Sequence, residues 1–360
     1  MYENWLKPAK ISTEDCVPYQ LGSHLKKNPR KCPVVIIGLD ERVANETRKA
    51  LYKTAFDFDQ LNIADLGDIR KSTAASLIPL LRELYTSGIT PILLGCSTKL
   101  FEAQYLAFNE IRRQVSLLNI DSEVELDVTD EGNYSLNAAV HRKGKRQFHL
   151  THIGSQQHLV DPAIWKLFDG AGYEAVRLGI ARKDVTELEP QIRDADLVGL
   201  NIRAINHIDA PARPQRQPSG LDLQEASQLA YYAGNSDKLS SFGLFGFNPE
   251  GASPQDVELT GATYAQLIWY FLQGFARRAG DFPAAKEEMQ SYVVAIDGSP
   301  DLTFRRSKIT NRWWVEMTSP VSRGSERHRL IACSYQDYKN ARHEQIVPDR
   351  LILAFKRFTQ

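Results

Sequence analysis

Three acids, Asp121, Glu123 and Glu125, follow directly on the apolar run VSLLNI at alternate positions. On an extended segment that spacing points side chains to one side, so the three carboxylates face a common space. Like charges gathered in this way raise one another's pKa unless a cation lies among them. A metal ion could supply that charge. So could Arg203, which with Asn201 comes after Leu200, at the end of another apolar run, DLVGLNI. Cys96, Ser97, Thr98 and Lys99 stand after a third run, ITPILLG. Taken singly, each of these is an ordinary solvated loop residue; as a set they could bind a metal or close into a salt-bridge cluster. Other metal-ligating types point elsewhere. Cys16, Cys32, Cys96 and Cys333 show no C-x-x-C spacing, which fits neither a zinc site nor a disulfide framework and suits a reducing compartment. Of eight histidines only His149, His152 and His158 lie close together, and a strand followed by a loop would spread these over different faces.

The runs that carry these residues read as strands of a buried sheet. PVVIIGL (Pro33 to Leu39), ITPILLG (Ile89 to Gly95), VSLLNI (Val115 to Ile120), FHLTHI (Phe148 to Ile153), DLVGLNI (Asp196 to Ile202) and FGLFGF (Phe242 to Phe247) are short and bounded by turn residues. Strands covered on both faces have this character. Helix-period segments fall between them. Leu77, Leu80, Leu81 and Leu84 recur after Ser72 as a cap, with Pro79 inside the segment. Asp161 and Pro162 open a helix that Gly170 and Gly172 close. Asp222 and Glu225 read as a capping box before Leu223 to Ala233, and Thr260 as the cap of a long helix through Gln266 and Phe271. This alternation predicts parallel strands joined by right-handed crossovers, hence an α/β chain with a three-layer α/β/α domain around a mostly parallel central sheet. Ligands of such sheets sit beyond the carboxyl ends of the strands, where Thr98, Asp121, Arg203 and Asn248 all fall.

After about Gly280 the pattern changes. SYVVAI, LTFRRSKIT and RWWVEM read as strands, with one hairpin around Asn311, followed by a polar helix from Ser334 to Glu344 and a last apolar piece, LILAFKRF. The chain divides into residues 1–285, a main domain with an N-terminal arm, and 286–360, an α+β extension packed on it. Arg305, Arg306, Trp313 and Trp314 interleave cations and aromatic rings on the hairpin. Such a set can form a protein interface or stack a base, although packing against the main domain is the commoner reason for it. The 360 residues carry 44 Lys and Arg against 44 Asp and Glu, which gives no general grip on nucleic acid or acidic membrane. No apolar run approaches the ~20 residues of a membrane span; the longest, Ala265 to Phe275, reads as a buried helix. The start, MYENWLKPAK, shows no signal peptide, and a cytoplasmic protein is expected.

In order along the chain, these segments resemble the arginase (ureohydrolase) family, and formimidoylglutamases most of all. LLGCSTKL is similar to the family stretch Leu-Gly-Gly-Asp-His-Ser, NIDSEVEL to the strand end Asn-Phe-Asp-Ala-His-x-Asp, and GLNIR to Ser-x-Asp-x-Asp. APARP…PSGLDLQEA resembles the loop and helix that come next in the family, and SFGLFGFNPEG the last strand with its Asn-Pro. GLDERVAN, ADLGDIR and HIGSQQH resemble further family segments. The resemblance runs from about residue 33 to about residue 278. It implies an arginase-like fold, an oligomer, and in active members two manganese ions. Carried over position by position, the first histidine ligand becomes Thr98. The Asp-x-His-x-Asp set becomes Asp121, Glu123 and Glu125, and the Asp-x-Asp pair becomes Asn201 and Arg203. Asp121 alone keeps its residue, Glu125 is a longer equivalent, and Gly246 stands where the substrate-binding glutamate is expected.

Among these replacements Arg203 weighs most. A guanidinium stays charged and offers no lone pair. About 4 Å from a dication it would meet a repulsion of about 8 kcal/mol even at an effective dielectric of 20, whereas among three acids it would form short charge-assisted pairs. Without two metals there is no bridging hydroxide to attack an amidine carbon. The expectation is a catalytically inactive protein, without manganese or other cofactor, that keeps the fold for ligand binding, assembly or regulation. Lys99, Asn206, His207 and Asn248, with Asn201, are expected around a degenerate cleft that either takes a small molecule or is filled by its own side chains. A protein partner on the extension and a homo-oligomer are further expectations. The alternative is a formimidoylglutamase-like hydrolase of linear amidine C–N bonds with an altered metal centre.

Overall fold

The computed structural model describes residues 2–112, 114–141, 148–281, 288–317 and 329–359. Among them, nine strands form one sheet in the order β1-β3-β2-β4-β9-β8-β5-β6-β7. These are β1 (Leu6–Lys7), β2 (Val34–Gly38), β3 (Ile63–Ile69), β4 (Thr90–Leu94), β5 (Val115–Ile120), β6 (Phe148–Ser155), β7 (Glu174–Arg177), β8 (Leu197–Asn201) and β9 (Ser241–Phe245). All neighbours run parallel except β1, which is antiparallel to β3.

The apolar runs are continuous because alternate residues serve opposite layers. Val34, Ile36, Ile92, Leu94, Leu118, Ile120, Val198 and Leu200 pack with residues of the helices Glu41–Leu51, Leu223–Asn235 and Pro254–Ala276. Val35, Ile37, Leu93, Val115, Leu117 and Leu197 pack with residues of Ala74–Thr86, Phe101–Ile111 and Pro162–Ala171. That is a three-layer α/β/α architecture, with one apolar core on each face of the sheet. The four central strands β4, β9, β8 and β5 bring their carboxyl ends side by side, and the candidate site lies there.

Local signals decide the helix ends. Asp161 accepts from Ala163 N ahead of Pro162, and the Asp222–Glu225 capping box forms with both of its hydrogen bonds. Two expected caps are corrected. Thr73, not Ser72, caps Ala74–Thr86. The long helix begins at Pro254 with Ser253 accepting from Asp256 N, so Thr260 lies inside it and donates back to Asp256 O. Ser253-Pro254 supplies a side-chain acceptor and a residue with no N–H to satisfy, a stronger start than a lone threonine. Strand β3 escapes the apolar criterion because Asp65, Gly67 and Asp68 interrupt it. Those acids are neutralised inside the fold by Arg48, 2.9 Å from Asp65 and 2.6 Å from Asp68.

The extension holds a four-stranded antiparallel sheet, β10 (Met289–Val294), β11 (Leu302–Ser307), β12 (Trp313–Glu316) and β13 (Leu330–Cys333), in that order. The expected hairpin is β11–β12, with Asn311 at φ 62° in its turn. Two helices come after it, Tyr335–Glu344, opened by a Ser334–Asp337 capping box, and Asp349–Thr359. The extension is tied to the main domain by buried arginines. Arg350 reaches Glu174 at 3.2 Å and Asp194 at 3.1 Å. Arg193 donates to the carbonyls of Trp313 and Cys333 and lies 4.3 Å from the Trp314 ring. The interleaved hairpin residues are therefore structural in the main: Trp314 is buried at that junction, Trp313 stacks on Tyr338, and Arg305 pairs with Glu316. No helix among the described residues is long and apolar enough to cross a membrane.

Candidate functional site

Arg203 sits in a turn, Ile202–Ala204, directly after β8. Asn201 makes that turn by accepting from Arg203 N at 3.1 Å. Arg213 stabilises it from outside by donating to the carbonyls of Ile202 and Ile205. The turn throws the guanidinium across to the end of β5. There Nη2 lies 2.6 Å from Asp121 and 2.6 Å from Glu125, Nε 3.2 Å from Asp121, and Nη1 3.3 Å from Glu123. All three acids thus converge on one cation. The chain bends after Ile120 instead of continuing as strand, yet the alternation survives: Val124 and Leu126 turn into the core while Glu123 and Glu125 face Arg203.

Neutral donors take up remaining lone pairs of the acids. Thr98 Oγ1 donates to Glu125 at 2.9 Å, Asn201 Nδ2 to Asp121 at 2.9 Å, and Gln217 Nε2 to Glu123 at 3.2 Å. Burial pushes Asp121 up to about 6, opposed by Arg203 and reinforced by Glu125. Arg203 is also buried, which works against its charge, but Asp121, Glu125 and Glu123 outweigh burial and hold it protonated above its usual value. His152, fully buried beneath, has its ring 3.1 Å from the Asp121 carbonyl and 3.1 Å from the Asn119 amide, and burial lowers its pKa to about 3. It is a neutral buttress of the strand end.

Packing closes what is left. A cavity of only ≈ 10 Å³ remains among Thr98, Asp121, Glu125, Asn201 and Phe245, about the space of a single water. At Gly246 the backbone has φ +86°, and an added Cβ would lie 2.4 Å from Asn201 Oδ1. A side chain at the position expected to carry a substrate-binding glutamate would be strained by that backbone and would have to displace the Asn201 amide. The other expected cleft residues are engaged locally. Lys99 donates to the Tyr134 carbonyl at 2.9 Å and pairs with Glu102 at 2.6 Å. Asn206 exchanges hydrogen bonds with Asp209, and Asn248 accepts from Glu250 N. His207 has an unpartnered buried Nδ1 and a lowered pKa from burial and from Arg213 and Arg216. None of these four lines the remaining cavity. Gln217 and His152 were not singled out for this centre by the sequence. Gln217 lies in a polar proline-rich loop with no periodic signal, and a histidine inside a strand carries none that separates a buttress from a ligand.

No family model matches the chain, and no curated protein matches it. Solved structures do. Formiminoglutamase of Trypanosoma cruzi with Mn2+ aligns at a TM-score of 0.62 and 18% identity, over 72% of this chain and 99% of that one. The fold is the arginase fold. Agmatine ureohydrolase of Thermoplasma volcanium shares it at a TM-score of 0.56 and 16% identity, over 72% and 95% of the two chains. Arginase from Bacillus cereus does so at 0.53 and 14%, over 67% and 98%. These arginase-fold neighbours are matched almost end to end, while this chain has residues to spare.

The metal that the arginase fold implies meets a poor donor set here. Every carboxylate that could ligate it is within 3.3 Å of a guanidinium nitrogen. Thr98 and Asn201, weak donors to a metal, already give their hydrogens to the acids. Among the described residues no group of three or more His, Cys, Asp or Glu has the arrangement that holds a metal ion. The residues present do not fit manganese.

Proposed function

We propose that this chain is a non-hydrolytic protein on the arginase fold, acting by binding or assembly, with a salt-bridge cluster where the family resemblance puts the metals. The observation that carries this reading is the contact of one guanidinium with Asp121, Glu123 and Glu125 together. A fixed monocation there satisfies the acids and repels a dication. The ≈ 10 Å³ cavity supports it, since an amidine substrate does not fit so small a space.

The test is to purify the full chain, offer it excess Mn2+, dialyse, and measure bound metal by elemental analysis. The same preparation is assayed on arginine, agmatine, guanidinobutyrate and formimidoylglutamate. Far less than one equivalent of manganese and no turnover are expected. Two equivalents retained, or hydrolysis of any of the four, would return the chain to the metal-dependent hydrolases.

A further inference from the structure

The small sheet has two outer strands, treated very differently. β13 is covered by the segment Glu189–Arg193 and by the helix Asp349–Thr359. β10 pairs with β11 alone among the described residues. An edge of this kind presents a row of unpaired N–H and C=O groups, and proteins ordinarily blunt it with charge, proline or a bulge. β10 has none of these. Its residues, Met289, Gln290, Ser291, Tyr292, Val293 and Val294, are uncharged and in unbroken register with β11, and Val293 is 66% exposed.

Beside this edge lies a hollow of ≈ 360 Å³, lined by Tyr292, Val293, Val294, Ala295, Tyr338 and Arg342. Its aromatic wall is rigid: Tyr338 stacks on Trp313 at 4.7 Å and meets Phe304 edge-on at 5.4 Å. Arg342 donates to the Tyr338 hydroxyl at 3.4 Å and has no carboxylate partner among the described residues. Among the described residues, a cation with no carboxylate partner thus borders a hollow of mixed polar and apolar lining that lies beside an open strand.

We infer that β10 is a docking edge for an extended peptide segment of a partner protein, which adds as a further strand and sets a carboxylate against Arg342. Main-chain hydrogen bonds to β10 would give affinity, and the hollow and the arginine would give selectivity. A second copy of this chain is the poorer occupant, because its own β10 carries no acid to meet Arg342. The inference does not depend on what the Arg203 centre does.

A displayed library of random heptapeptides with free carboxyl ends, selected on the immobilised full chain, supplies the probe. Sequences with β-branched residues at alternate positions and one carboxylate in constant register are expected. The most enriched peptide is then titrated by fluorescence polarisation against the full chain. Arg342→Gln should weaken it about tenfold or more, and Val293→Lys, at an exposed position, should abolish binding without moving the melting temperature. Amidating the peptide's end separates a terminal carboxylate from an acidic side chain. The inference is overturned by a library that yields no such pattern, or by binding that survives both substitutions. Self-association of the chain that Val293→Lys abolishes, seen by sedimentation, would also overturn it, since the edge would then belong to a second copy.

Discussion

Arg203 carries more of the centre than any other side chain, because its removal leaves three acids facing one another. Its side chain is 14% exposed, and Asp121, one of its two nearest partners, only 2%. Truncating one member of a buried pair costs about 3–5 kcal/mol when burial is complete; here Arg203→Ala should cost about 3 kcal/mol. Arg82, whose pair with Glu110 is about half exposed, is the control, and Arg82→Ala should cost about 1 kcal/mol or less. Denaturant melts of the two variants check this, and equal midpoints would mean that the cluster is solvated in solution. At this scale the sequence was informative for a physical reason. Acids at alternate positions after a buried run have few places to point, and an arginine two residues beyond the end of β8 is their counter-charge. The donors from loops were silent, since nothing in a lone Gln217 says which strand end it will reach.

At the scale of elements, the central strands were legible because both of their faces are buried, while β3 was hidden by acids that Arg48 and Tyr52, at the end of the preceding helix, hold inside the fold. The packing of the helices Leu223–Asn235 and Pro254–Ala276 was also out of reach of sequence patterning. They approach through glycines: a Cβ at Gly234 would lie 2.0 Å from Phe271 O, and one at Gly274 would lie 2.2 Å from Tyr231 O. No side chain fits there without parting the helices. Gly274→Ala should therefore destabilise by about 1–3 kcal/mol through overpacking. Gly170→Ala, in a helix with nothing within 4 Å of the new methyl, should stabilise by about 0.5–1 kcal/mol. Opposite shifts in the two melts are the expected result, and shifts of the same sign would contradict the close approach.

Over the whole molecule, the extension is joined to the domain by a buried ionic network. Glu174 on β7 meets Arg350, which also meets Asp194, itself paired with Lys238 at 2.8 Å. Burial works against the Glu174 charge, but Arg350 and His149 overcome it and hold the carboxyl down to about 2. A depressed folded pKa stabilises above the unfolded value of about 4.3 and loses that contribution as pH falls toward 2. A shift of that size corresponds to about 3 kcal/mol. Glu174→Gln should thus be less stable than the parent at pH 7, with the gap closing between pH 4.5 and 2 in a series of melts. A gap that stays constant with pH would show that Glu174 acts through shape and not charge. The change of pattern after about Gly280 set the extension apart in the sequence; that Arg193 and Arg350 do the joining could not be read, because their partners across the junction lie more than a hundred residues away.

An arginine locked among three acids also makes position 203 hard to change. Aspartate there would gather four carboxylates with no cation among them. Such a chain would fall below the present protein by several kcal/mol of uncompensated buried charge, against a total stability of about 5–15 kcal/mol. A metal centre built on these strand ends would therefore need its other ligands in place before the arginine left. Substitution at Asn206 and Asn248, whose side-chain partners lie within three residues, meets no such barrier, so this edge of the sheet is freer to change there than at the cluster.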